Sequence, residues 1–165
     1  MCTSDAVLRD IAVQKKFGDD ISVLAGHPQA AFILEYLAEC DRDFYEPLSS
    51  RVNLEEFSQK LSQLSTTFVL YKHGVIAGLV CAYFYQPDSH KGFITLVHTK
   101  QEFRGQHLAS LLVETVKEYA QSQNFATIEL FVSKQQTSAF QLYLRHGFAI
   151  VSEEPSGRCQ MKCDL

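Results

Sequence analysis

Phe93-Ile94-Thr95-Leu96-Val97-His98-Thr99-Lys100-Gln101-Glu102-Phe103-Arg104-Gly105-Gln106-His107-Leu108-Ala109 is the segment on which the reading of this chain turns. Phe93 to Thr99 is nearly all apolar or β-branched, the pattern of a buried strand. A short polar turn carrying Arg104-Gly105 follows. Beyond it Leu108, Leu111, Leu112, Thr115, Val116 and Tyr119 recur at helical spacing, and Asn124 closes the run. A buried strand thus passes through a tight turn into an amphipathic helix. The first turn of a helix leaves backbone N–H groups without partners, and the helix dipole makes that end positive. A diphosphate complements both. Gly105 lets a ligand approach the backbone, and Arg104 adds a charged donor.

Downstream, Thr127 to Val132 reads as a strand. Thr137 is placed to cap a short helix running to Leu144 and closed by Gly147. Phe148–Ser152 and Arg158–Cys163 read as two strands joined around Pro155-Ser156-Gly157. Upstream, Phe68–Tyr71 and Val75–Tyr85 form a hairpin through His73-Gly74, and Gln86 to His90 is a second turn. Asn53 with Glu56 three residues on is a capping pair, opening a helix that carries Phe57, Leu61 and Leu64. Pro28 to about Asp43 is an earlier helix, and Phe44–Val52 a loop. At the start, Ala6–Phe17 is read as a helix ended by Gly18-Asp19-Asp20, with a short strand Ile21–Leu24. The strand–helix–strand unit implies a parallel pair. The expected fold is α/β: a mixed, mostly antiparallel central sheet of six to seven strands with helices on both faces, in one domain over residues 1–165.

The 165 residues are enough for one core, and 46% hydrophobic with 21% charged residues is an ordinary globular balance. A formal charge of −4, from 19 acidic and 15 basic residues, argues against general nucleic-acid binding. No apolar run is long enough to span a bilayer and no signal peptide is read, so no membrane partner is expected. The 5 cysteines are odd in number and scattered. Cys159 and Cys163 lack the partners of a zinc site, so no metal is expected and the thiols are read as reduced, in a cytoplasmic protein. A monomer or homodimer is expected.

Two blocks carry a resemblance. Arg104 to Ala109 resembles the acetyl-CoA signature of the GNAT N-acetyltransferase superfamily, Gln/Arg-x-x-Gly-x-Gly/Ala, with His107 where that family usually has Gly. Gln136-Thr137-Ser138-Ala139-Phe140-Gln141-Leu142-Tyr143-Leu144-Arg145-His146-Gly147-Phe148 resembles its second block, Asn-x-x-Ala-x-x-Leu-Tyr-x-x-x-Gly-Phe, with Gln136 in place of Asn. The resemblance covers Val75 to Phe148. It implies acetyl-CoA as co-substrate and acetyl transfer to an amine by direct attack in a ternary complex. It implies further that backbone groups of Val97, His98 and Thr99 pair with the pantetheine arm. Arg104, Gly105, Gln106, His107, Leu108, Ala109 and Ser110 would wrap the pyrophosphate, Gln136 would bind the cofactor by contacting the pantetheine or ligand side, and Tyr143 would stand near the sulfur.

A thioester acyl transfer to an amine sets three tasks. An alkylamine of pKa near 10 must lose a proton, at about 4 kcal/mol at neutral pH. The carbonyl must be polarised, which a strand N–H can do. The departing thiolate must be stabilised, for which Tyr143 is the candidate donor; the alternative is a core aromatic. For the base, Glu129, His98 and Glu102 are rivals. The 44–51 loop, with Tyr45 and Arg51, is the expected acceptor-binding element; Arg51 either meets an acidic group on the acceptor or pairs with Glu55. Tyr83 and Tyr85 either face the cleft or pack in the strand. His107 is either an exposed turn residue or a ring against a phosphate. The acceptor is expected to be a small amine, such as an amino sugar, polyamine or amino acid. The alternatives are a protein N-terminus or lysine, and a degenerate domain that only senses coenzyme A.

Overall fold

The computed structural model describes residues 4–84 and 87–165. A single helical turn α1 (Ser4–Val7) leads into the hairpin β1 (Leu8–Phe17) and β2 (Ile21–Pro28), followed by α2 (Ala30–Cys40) and α3 (Leu54–Leu64). Then come β3 (Ser65–Lys72), β4 (Val75–Tyr83), β5 (Lys91–Thr99), α4 (Leu108–Ser122), β6 (Thr127–Ser133), α5 (Thr137–Arg145), β7 (Ala149–Glu153) and β8 (Arg158–Asp164). The strands form one sheet in the order β1-β2-β3-β4-β5-β6-β8-β7. Among the described residues only β5 and β6 run parallel, as the intervening helix requires.

Each sheet face carries its own core. Val69, Leu79 and Leu96 face α2 and α3, packing on Ile33, Leu37 and Leu61. Phe68, Leu70, Val80 and Ile94 face α4 and α5. The strand period of two thus splits each buried strand between two helix layers, which is why β3 and β4 read as unbroken apolar runs. On α4 the expected stripe is buried at Leu108, Leu112, Thr115 and Val116, joined by Val113 and Ala120. Each large apolar side chain so buried contributes roughly 1.5–3 kcal/mol. Asn53 caps α3 as expected, its side chain accepting from the Glu56 amide at 3.0 Å.

Three expectations are corrected. Residues 8–17 are a strand, not a helix, so the sheet has eight strands rather than six or seven. The register of β1 against β2 shifts between Arg9 and Val13, with Asp10 at φ 54°. That bulge breaks the alternation and leaves Val7, Leu8 and Ile11 at a spacing that mimics a helix. The strand β2 also runs to Pro28, past the expected end at Leu24. Finally, Thr137 is the first helical residue of α5 and not its cap; Gln136 holds the cap position.

Candidate active site

The parallel pair opens. β5 and β6 pair from Lys91–Thr127 to Ile94–Leu130 and no further. Residues 95–99 and 131–133 continue as strands without pairing to each other. The pairing of β4 with β5 slips at the same point, Cys81 facing Leu96 while Ala82 faces Ile94, so Thr95 is an extra residue in β5. A bulge bends a strand, and here it sits at the start of the gap. Beyond it Gly78 pairs with Thr99, where a Cβ would stand 2.6 Å from the His98 carbonyl oxygen. Only glycine lets β4 hold that end of β5 so closely.

Two cavities border this gap. The first, about 470 Å³, is lined by Val97, His98 and Thr99 of β5, by the turn at Arg104, Gly105 and His107, by Leu108 to Ser110, and by Ala139, Leu142 and Tyr143 of α5. The turn has two left-handed residues, Gly105 at φ 78° and His107 at φ 61°. No side chain caps α4, and the amides of residues 105–110 have no acceptor among the described residues. An anion is the natural complement of such a row of amides at a helix start. Arg104 donates from Nε to the Thr99 carbonyl at 3.0 Å, tying the guanidinium to the end of β5. Gln106 turns away: its side chain accepts from Lys72 Nζ and does not line the cavity. The Ser110 hydroxyl lies 3.1 Å from His146 Nε2, whose Nδ1 is 2.5 Å from Glu114, so the first turn of α4 is tied to the end of α5.

Tyr143 is buried, its ring edge-on to Phe148 at 5.7 Å. Burial pushes its phenol well above its ordinary pKa, so it keeps its proton. Its hydroxyl has no hydrogen-bond partner among the described residues, and the residue lines the first cavity.

The second cavity, about 670 Å³, lies where the gap begins and is bounded by Phe93 and Thr95 of β5 and Phe131 and Ser133 of β6. Tyr45, Glu46 and Arg51 reach it from the loop between α2 and α3; Gln135 and Gln136 come from the β6–α5 turn, and Arg158 from β8. The Tyr45 hydroxyl donates to the Gln135 side chain, bridging two segments that are far apart in sequence. Gln136 is braced by accepting from the Ser133 amide at 3.2 Å. Arg51 makes no ion pair with Glu55 among the described residues; it lines the cavity instead.

Other expected residues lie elsewhere. Glu129 shares the β6 face with Phe131, but in the stretch where β5 and β6 stay paired, and it lines neither cavity. Tyr83 is buried among the residues under α2 and α3, with Lys60 Nζ 5.3 Å from its ring centre, and also lines neither. Tyr85 lies outside the described residues. The His98 side chain points to the α2 face: Nδ1 is 2.8 Å from the Tyr36 hydroxyl and Nε2 is 3.0 Å from Asp43. Burial holds its imidazole below the usual range, although Asp43 pulls the other way. A neutral ring that accepts from Tyr36 and donates to Asp43 satisfies all three groups. Sequence reasoning missed this trio, and it missed Phe131, Gln135 and Arg158. No local pattern marks them; only the pairing of β8 beside β6 brings Arg158 to the cleft.

Neither cavity is lined by a cysteine. Burial pushes the Cys40 and Cys81 thiols up to about 12, which leaves no thiolate there at neutral pH.

The family model of the Acetyltransferase (GNAT) family matches residues 30–148. Among solved structures, the GNAT-family acetyltransferase from Streptococcus pneumoniae is similar at 22% identity, covering 87% of this chain and 99% of that one, with TM-score 0.68. The ribosomal-protein-S18-alanine N-acetyltransferase from Escherichia coli is similar at 14% identity, over 87% and 94% of the two chains, with TM-score 0.70. The PaiA N-acetyltransferase from Thermoplasma acidophilum, solved with coenzyme A, is similar at 13% identity, over 87% and 99%, with TM-score 0.64. No curated protein is significantly similar in sequence. The extent of the family match places this chain in the GNAT family, whose members are acetyl-CoA-dependent acyltransferases.

Proposed function

We propose that this chain is an N-acetyltransferase that moves the acetyl group of acetyl-CoA to the amine of a small molecule, by direct attack while both substrates are bound. The carrying observation is the gap between β5 and β6, with one cavity leading to the helix start and a second, differently lined cavity at its mouth. Two substrates brought to one gap need no covalent enzyme intermediate, and fixing them together lowers the barrier by several kcal/mol.

In this reading the amides of residues 105–110 and Arg104 hold the pyrophosphate, and the unpaired edge at Val97 to Thr99 holds the pantetheine arm. The acetyl thioester supplies the activated acyl group. A free N–H on the open edge of β5 polarises its carbonyl. Tyr143, kept neutral by burial, donates a hydrogen bond to the departing sulfur and retains its own proton. Tyr45 and Arg51 form the acceptor side, joined there by Gln136, expected on the cofactor but lining the second cavity and not the first. Residues 1–165 act as one domain, since both halves of the site share one sheet. A cytoplasmic setting is supported by the free, buried thiols Cys40, Cys81, Cys159 and Cys163.

A small acceptor is favoured over a protein by the second cavity's volume, which is in the range of a small-molecule site, and by a lining that is not acidic. The test is thiol release from acetyl-CoA across a panel of amines and peptides. Turnover of a small amine is the expected result. Turnover of peptides alone, or of nothing despite tight acetyl-CoA binding, would overturn the reading.

A further inference from the structure

Arg51 and Arg158, more than a hundred positions apart in sequence, line the same cavity, together with one carboxylate, Glu46. Resting on the transferase reading above, we infer that the acceptor is a small amine bearing an oxyanion, a carboxylate or a phosphate, and that Arg51 and Arg158 select it.

The charge balance of the cavity carries this. Among the lining residues two guanidinium groups stand against one carboxylate, and the one outer carboxylate near them, Glu154, is a half-exposed partner of Arg158 that offsets it only weakly, so positive charge predominates where the acceptor must sit. A polyamine or a polycationic amino sugar would meet repulsion there. An amine with an anionic group finds Glu46 for its ammonium end and the arginines for its oxygens. Guanidinium is the side chain best matched to carboxylate and phosphate, through paired N–H donors.

Neither arginine is committed elsewhere. Arg51 has no ion pair among the described residues, although Glu55 lies on the next helical turn. Arg158 sits 3.6 Å from Glu154, with both side chains half exposed, a loose surface pair of small worth. It is oriented by stacking: its guanidinium carbon lies 4.2 Å from the centre of the Phe131 ring. Phe131 in turn packs on Phe93 across the cavity floor, with ring centres 5.8 Å apart. This arginine is therefore pre-placed by an aromatic floor. The Tyr45–Gln135 bridge closes over the opposite rim.

The experiment compares matched acceptors by thiol release: glycine with glycinamide, and phosphoethanolamine with ethanolamine, alongside spermidine and a peptide with a free N-terminal glutamate. Wild type, Arg51→Gln, Arg158→Gln and the double variant are each measured. The expected result is at least about tenfold higher kcat/KM for one anionic member of a pair, lost through KM in either variant, with a several-fold smaller loss for the neutral member. Preference for glycine identifies a carboxylate, and preference for phosphoethanolamine a phosphate. Equal use of both members of each pair, spermidine as the best acceptor, or equal loss for neutral and anionic amines overturns the inference while the transferase reading stands. A peptide faster than every small amine overturns the small-acceptor clause. No turnover of any amine by protein that binds acetyl-CoA overturns both.

Discussion

The two halves of the cleft are built in opposite ways. The proposed cofactor half comes from nearly contiguous chain, β5 running through the turn into the start of α4, with α5 closing it. Its chemistry is mainly backbone: unpartnered amides and two left-handed residues. The proposed acceptor half is gathered from the 44–51 loop, β5, β6, the β6–α5 turn and the start of β8, and its chemistry is side chains. Backbone chemistry is fixed by turn geometry and tolerates few residues. Side-chain chemistry can be exchanged one residue at a time.

The most disruptive way to probe the cofactor half is Gly105→Val. A β-branched residue at φ 78° is strained by about 1–3 kcal/mol even though open space surrounds the site. Calorimetry is expected to show acetyl-CoA affinity falling by up to about a hundredfold, with circular dichroism unchanged. A variant that binds as the wild type does would mean the turn is not the anchor. Tyr143→Phe separates binding from chemistry. Turnover is expected to fall by about ten- to a hundredfold, the worth of a hydrogen bond to a developing charge, with affinity nearly unchanged. Equal loss in both, or in neither, removes Tyr143 from the chemistry.

His107 offers a smaller test of the same contrast. It occupies a left-handed position where the family usually has glycine. His107→Gly is expected to keep cofactor affinity and to shift stability by less than about 1 kcal/mol, since relieved strain and added chain freedom offset each other. His107→Val, a poor residue at that φ, is expected to lower Tm by several degrees. Equal melting temperatures for the two variants would show that backbone conformation is not what this position selects.

The smallest effect lies behind β5, at His98, whose side chain points away from the first cavity toward α2. Its folded pKa is depressed, so between that value and the unfolded value of about 6.5 the unfolded chain binds more protons. Stability is therefore full above about pH 6.5 and falls as pH drops below it. Urea melts of wild type and His98→Gln at neutral and mildly acidic pH measure this, the variant losing that share of the slope. Identical slopes would contradict a neutral His98 between Tyr36 and Asp43.

The same division governs what the sequence discloses. The groove from Val97 to Ser110 and the helix with Tyr143 are legible because a strand, a turn and a helix leave period and glycine signals in one short stretch. Gln106 shows the limit: the turn is foreseeable, but the pull of Lys72 on its side chain is not. The first strand is hidden by its bulge at Asp10. Glu129 and Phe131 share one face of β6 by alternation, and only the point where β5 and β6 part decides which of them meets the cleft. Arg158 has no local signature at all, because its place follows from β8 entering between β6 and β7.

The central claim is that unpartnered amides at the head of α4 grip the diphosphate. Amide chemical shifts recorded during titration with coenzyme A, and separately with pantetheine, test it directly. The account requires the residue 105–110 amides to move with coenzyme A at saturation, while pantetheine, which lacks the diphosphate, leaves them in place. Unmoved 105–110 amides at millimolar coenzyme A, or equal movement with pantetheine, would contradict it.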